Sequence, residues 1–244
     1  MIPFAIRSVR KVRKSQIKYL ISVGLVGSFF PAFLFAIAQT GLPSSITGVL
    51  NALTPLFTII VGYLIYSKRQ PPRVFIGVLL GFVGSAVLVT AGADGGFSGF
   101  NFFALFVVLA TLFYAFNLNL IKQHLQTLNS KTITSISLCM VGPITLIHLV
   151  FFSDYPEKLM YVEGTMLATS YILILGVVGT AIALIIFNKL VNMTDPVFTS
   201  SVTYIIPLVA VAWGVLDGEL LSLFHYVGIV TILVGVYIAN SLKK

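Results

Sequence analysis

Cysteine and charge are the scarce components of this chain. A single cysteine, Cys139, excludes a disulfide framework and any zinc site built from several thiolates. Charged residues make up 9% of the 244 and apolar residues 58%, whereas a soluble domain carries roughly 25% charged residues. So few charges cannot coat a water-facing globule, but they suit a surface that faces lipid. No P-loop, paired acids, Ser/His/Asp set or His/Cys cluster is present. ATP-driven pumping, membrane enzymology, a metal and an organic cofactor are therefore not expected.

What the sequence does have is apolar length. About 20 residues are needed to cross a bilayer, and eight segments qualify: Ile17–Ala38, Ser44–Tyr66, Val74–Ala91, Gly99–Ile121, Thr132–Phe152, Thr165–Phe187, Pro196–Leu216 and Phe224–Ser241. The links are short, so no soluble domain is expected. The basic start leads into a full-length span with no convincing cleavage site, so a signal peptide is not expected either. With the N-terminus inside and the spans alternating, every Lys and Arg except Lys158 falls inside, and every acid except Asp195 falls outside. This matches the positive-inside bias. The net charge of +8 is then membrane anchoring rather than a nucleic-acid surface. The expected location is the inner (plasma) membrane, multi-pass, with both termini cytoplasmic.

The chain also resembles itself. A shift of 152 residues places Gly24, Gly27, Phe35, Thr47, Pro55, Leu56, Gly62 and Leu64 on Gly176, Gly179, Phe187, Thr199, Pro207, Leu208, Gly214 and Leu216 without a gap. A shift of 151 then sets Gly77 and Gly84 on Gly228 and Gly235. The first three spans thus pair with the last three, five spans further on. An odd offset makes the copies cross in opposite directions, the inverted repeat common in secondary transporters. A duplication that serves only packing is the competing reading. The copies are unequal, and Met1 aligns with Ser153 just after the fifth span. Two N-terminal helices of about 50 residues are therefore expected to be missing from the first copy, through a misassigned start or a real truncation.

At these residues the chain resembles the drug/metabolite transporter superfamily, and within it the EamA-type permeases of five plus five helices. The stretch Gly214–Asn240, with Gly218-Glu219 before a loop and Gly228 and Gly235 in the last helix, is similar to the family's closing pattern. Thr47 through Pro55-Leu56, with Pro207-Leu208 as counterpart, resembles its Pro-bearing fourth helix. The chain departs from the pattern in lacking the first two helices and in having Tyr66-Ser67 where the second copy has Gly218-Glu219. The resemblance implies an all-α integral membrane protein of eight transmembrane helices, drawn from a five-plus-five inverted-repeat fold. Residues 1–98 would be an incomplete first repeat and residues 99–244 a complete second one.

Polar groups within a membrane helix are costly unless paired or wet, which makes them the candidates for function. Thr47, Asn51 and Thr58 share a helical face with Pro55, and Thr199, Thr203 and Pro207 repeat that face. Each Pro leaves a carbonyl in the preceding turn without its usual donor. Thr and Ser can instead bond back to their own helix, an escape that an Asn amide lacks. Tyr114 and Asn117 lie one turn apart, with Asn119 on another side; Tyr204 and Tyr171 are further candidates. The expected substrate-binding set is Thr47, Asn51, Pro55, Tyr114, Asn117, Thr203, Tyr204 and Pro207. Tyr19, Tyr63, Tyr66, Tyr226 and Trp213 are read as interfacial belt residues.

None of the eight spans holds an acid at mid-membrane, so a proton-coupled carboxylate is lacking. His148 is the candidate proton relay, weighed against a neutral structural histidine. Gly77-x-x-x-Gly81 can serve a homodimer or, the preferred reading, packing within the bundle. The expected partners are a small-molecule solute and membrane lipid. The expected function is secondary transport of a small metabolite, amino acid or drug-like solute by alternating access. The alternative is a non-transporting membrane subunit or an inactive truncated permease.

Overall fold

The computed structural model describes residues 1–42, 44–91, 102–216 and 222–240. All regular structure among them is helical, as a chain with no water to satisfy its backbone requires. The α-helices are α1 (Ile2–Val9), α2 (Lys14–Gly24), α3 (Phe30–Gln39), α4 (Ser44–Asn51), α5 (Thr54–Tyr66), α6 (Pro72–Ala91) and α7 (Phe103–His124). They continue as α8 (Ser130–Phe151), α9 (Tyr155–Tyr161), α10 (Thr165–Ile174), α11 (Ala183–Met193), α12 (Pro196–Ser201), α13 (Ile205–Leu216) and α14 (Leu223–Asn240). Two π-helical stretches, Leu25–Phe29 and Leu175–Ile182, bridge α2 to α3 and α10 to α11, and a 3-10 turn, Val202–Tyr204, joins α12 to α13.

Each expected span lands on helix. Five runs are long and apolar enough to cross a membrane: Lys14–Gln39, Ile46–Tyr66, Phe103–His124, Ser130–Phe151 and Thr165–Met193. Three apolar helices are shorter: Pro72–Val87, Pro196–Val209 and Leu223–Ala239. Two further helices, α1 and α9, escape a hydropathy reading because they are only 8 and 7 residues long. Both carry a Pro in the first turn, where the missing N–H costs nothing. The Trp213 side chain and residues Asp94, Asp217, Gly218, Glu219, Lys243 and Lys244 lie outside what is described.

The chain forms two compact units, Met1–Phe29 with Leu120–Thr194, and Phe30–Asn119 with Asp195–Lys244. Each draws on both sides of the sequence division near residue 98. In the first unit α8 is the central helix, packed by α1, α2 and α11. Asn129 caps its start, accepting from the Thr132 backbone N–H at 2.8 Å, which satisfies one orphan donor of the first turn. A methyl group on Gly24 would lie 2.6 Å from the Ser137 carbonyl, so α2 and α8 touch backbone to backbone. One turn earlier on α8, Asn188 of α11 donates from Nδ2 to Thr134 Oγ1 at 2.8 Å.

In the second unit α6 and α14 form the most extensive helix pair. A Cβ on Gly235 would sit 2.5 Å from the Gly81 N, and one on Gly84 would sit 2.7 Å from the Ile232 N. A Cβ on Gly77 would collide with the backbone of Ala239. Without a hydrophobic force between helices in lipid, this close approach supplies the packing. The Gly77–Gly81 stripe is thus occupied inside the bundle, by α14 and by the Tyr204 ring.

Gly235→Val is expected to lower the thermal midpoint in detergent through an overpacking cost of about 1–3 kcal/mol or more. Gly142→Ala, where nothing lies within 4 Å of the added carbon, is expected to be neutral or slightly stabilising.

Candidate solute site

Every expected substrate-binding residue lies in the second unit, whereas His148 and Tyr171 lie in the first. The second unit is built around two interrupted helices. The segment from Ser44 to Tyr66 breaks at Ala52–Leu53, and the segment from Pro196 to Leu216 breaks at the 3-10 turn Val202–Tyr204. Pro55 accounts for the first break. It lacks the N–H that would bond to the Asn51 carbonyl, and Thr54 Oγ1 donates to that carbonyl instead, at 2.8 Å. The carbonyl freed by Pro55 is therefore taken by a local hydroxyl.

Most hydroxyls in this unit behave in the same way. Thr58 Oγ1 donates to Thr54 O at 2.8 Å, Thr203 Oγ1 to Ser200 O at 2.8 Å, and Ser200 Oγ to Val197 O at 2.9 Å. A hydroxyl that bonds to its own helix is satisfied before any solute arrives. Thr47 is 5% exposed and Pro55 and Pro207 are buried.

Tyr204 is 1% exposed, with its ring against Gly81, and its hydroxyl donates to Val78 O at 2.7 Å. It forms a buried cluster with Ala52 and Ile232. That hydrogen bond already engages the polar handle that made Tyr204 a candidate.

The amides differ. Asn51 Oδ1 on α4 and Asn117 Oδ1 on α7 are buried with no hydrogen-bond partner, as is Ser85 Oγ on α6, a helix that packs on α4. An unsatisfied buried polar atom costs about 1–3 kcal/mol, and such atoms are rare in folded proteins. Tyr114, one turn before Asn117, is half-buried and its ring lies 6.0 Å from that of Phe35. The second unit thus holds two amides and a hydroxyl able to bond to something further, with aromatic rings on the same helix.

Asn119 falls outside the expected set, yet among the described residues its amide makes two hydrogen bonds. Its Nδ2 donates to Thr58 O at 3.1 Å and to Ala115 O at 3.0 Å, and Gly62 makes room for it. A water-sized recess lies beside it, lined by Thr58, Gly62, Lys68, Asp195 and Pro196. Only the packing of α5 on α7 identifies its partner.

In the first unit His148 is exposed on α8 and its ring lies 6.1 Å from that of Phe152, nearly parallel to it. Tyr171 is 64% exposed. No group of three or more metal-ligating side chains occurs among the described residues.

Comparison with known proteins places these features in context. A family model for the EamA-like transporter family matches residues 1–90 and 101–241. A Salmonella typhimurium protein named a probable amino-acid metabolite efflux pump is 24% identical over 92% of this chain and 77% of its own. The uncharacterized inner membrane transporter YedA of Escherichia coli K12 is 24% identical over 91% of this chain and 71% of its own. A solved crystal structure shares the fold with a TM-score of 0.73 at 20% identity, covering 96% of this chain and 78% of its own.

Tyr204→Phe is expected to lower stability by about 1 kcal/mol through loss of the bond to Val78 O, read as a thermal midpoint in detergent. A midpoint equal to that of the wild type would mean that the bond contributes nothing.

Proposed function

We propose that this chain, which belongs to the EamA-like transporter family, is a secondary transporter that moves a small solute by alternating access. Its eight apolar segments span the inner membrane with both termini cytoplasmic. They belong to an inverted repeat in which the first three spans pair with the last three. Two irregularities recur at the sequence offset and support this reading. The π stretch Leu25–Phe29, moved by 152 residues, falls within Leu175–Ile182, and the break at Ala52–Leu53 moves to the end of Val202–Tyr204. Non-α backbone inside membrane helices marks the places where helices bend or bind solute.

The observation that carries the site is the pair of buried, unpartnered amide oxygens of Asn51 and Asn117. With Tyr114, whose ring lies 6.0 Å from that of Phe35, they form an uncharged polar lining. No Lys, Arg, Asp or Glu occurs within α4, α5, α12 or α13, and the charged residues of α6 and α7, Arg73 and Lys122, lie near the ends of those helices, away from Ser85, Tyr114 and Asn117 in sequence. The solute class is a small neutral or zwitterionic molecule with hydrogen-bonding groups and an apolar body. Thr47, Pro55, Thr203, Tyr204 and Pro207 shape the cavity. His148, being in the other unit, is the candidate for proton coupling.

A second reading has one observation in its favour. The most apolar stretch of Thr165–Met193 has no buried residue, so a further protein helix could cover it and the chain could serve as an assembly subunit.

Flux of labelled amino acids and related metabolites into proteoliposomes containing the full chain separates the two. Transport predicts solute flux that Asn51→Ala and Asn117→Ala each reduce about tenfold or more, a loss of about 1.4 kcal/mol of differential binding. Flux unchanged in both variants would remove the site. Absence of flux for every solute of a broad panel would favour the subunit reading.

A further inference from the structure

The first unit carries a charge arrangement that solute transport does not use. The helix α1 ends at Val9, and the bend from Arg10 to Arg13 leads into α2. Arg10, Lys11, Arg13 and Lys14 are all exposed there. The bend is held in place: Gln16 Oε1 accepts from the Arg13 backbone N–H at 3.1 Å, while Gln16 Nε2 donates to Thr127 Oγ1 at 2.9 Å. Gln16 itself is 7% exposed. The cations are therefore presented by an ordered turn docked on the α7–α8 connection, not by a loose tail.

No ion pair to these four side chains occurs among the described residues. The first acid in the chain is Asp94, and the acids of the first unit are Asp154, Glu157 and Glu163. Those three follow the far end of α8, whose 22 residues span about 33 Å. That distance exceeds the Debye length of about 8 Å at physiological salt. Asp154 moreover lies 3.8 Å from Lys158. The basic bend must therefore draw its counter-ions from outside the unit.

The neighbouring surface decides which anion. Helix α1 presses Ala5 inward, at 7% exposure, and turns Phe4, Ile6 and Val9 outward at 51%, 68% and 58%. Ile6 and Val9, one turn apart, form a short exposed apolar strip that leads into the exposed cationic bend, while Phe4 lies on another side of the helix. A soluble phosphate would use only the bend, whereas a phospholipid would use both, its acyl chain along the strip and its phosphodiester at the cations. Apolar burial combined with basic charge is the pairing that holds anionic lipid at a membrane surface. We propose that the α1–α2 bend, with the exposed face of α1, is a binding site for an anionic phospholipid.

The test uses the delipidated full chain in detergent, with its thermal midpoint followed against added phosphatidylglycerol, phosphatidylcholine of the same chain length, or inorganic phosphate. Phosphatidylglycerol is expected to stabilise at a concentration about tenfold or more below that required for phosphatidylcholine. Raising salt from 0.1 M to 1 M, which shortens the Debye length from about 10 Å to about 3 Å, is expected to erase the preference. R10Q/K11Q/R13Q/K14Q is expected to erase it as well. Should that variant insert poorly, the salt response of the wild-type chain decides by itself. Equal stabilisation by the two lipids, a preference insensitive to salt, or phosphate acting as well as phosphatidylglycerol would each overturn the proposal.

Discussion

In lipid a backbone N–H or C=O has no water to turn to, and every feature of this chain is arranged around that constraint. It makes the regular structure helical, and it draws side-chain donors to backbone carbonyls, both at a helix break and within intact helices. At Pro55 the group is the Thr54 hydroxyl, which donates to the Asn51 carbonyl. At Thr58 it is the Asn119 amide, which reaches across from α7. At Val78 it is the Tyr204 hydroxyl. Side chains that look available for chemistry in the sequence are thus partly committed to keeping the backbone satisfied.

This commitment sorts the polar residues. A Thr or Ser hydroxyl reaches a carbonyl three or four residues earlier on its own helix, and Thr54, Thr58, Ser200 and Thr203 all do so. An Asn amide has both a donor group and an acceptor to satisfy. Asn119 finds partners in two carbonyls, while Asn51 and Asn117 each retain a buried oxygen without one. An amide thus more easily keeps one polar atom in reserve than a hydroxyl that bonds back to its own helix.

Packing follows the same economy. Lipid tails are as apolar as Leu, so helices associate where their backbones can come close. Gly77, Gly84 and Gly235 allow this between α6 and α14, and Gly24 allows it between α2 and α8.

The sequence alone determined where the helices lie, because membrane hydropathy depends on local composition over about 20 residues. It also located the amides at 51 and 117. The short helices α1 and α9 were not legible, being too brief for a hydropathy window. The division of labour among the polar residues was decided by tertiary structure. Tyr204 meets Val78 across 126 residues and Asn119 meets Thr58 across 61. Whether a hydroxyl or an amide is already satisfied depends on which distant backbone lies within about 3 Å of it, and no local pattern carries that distance.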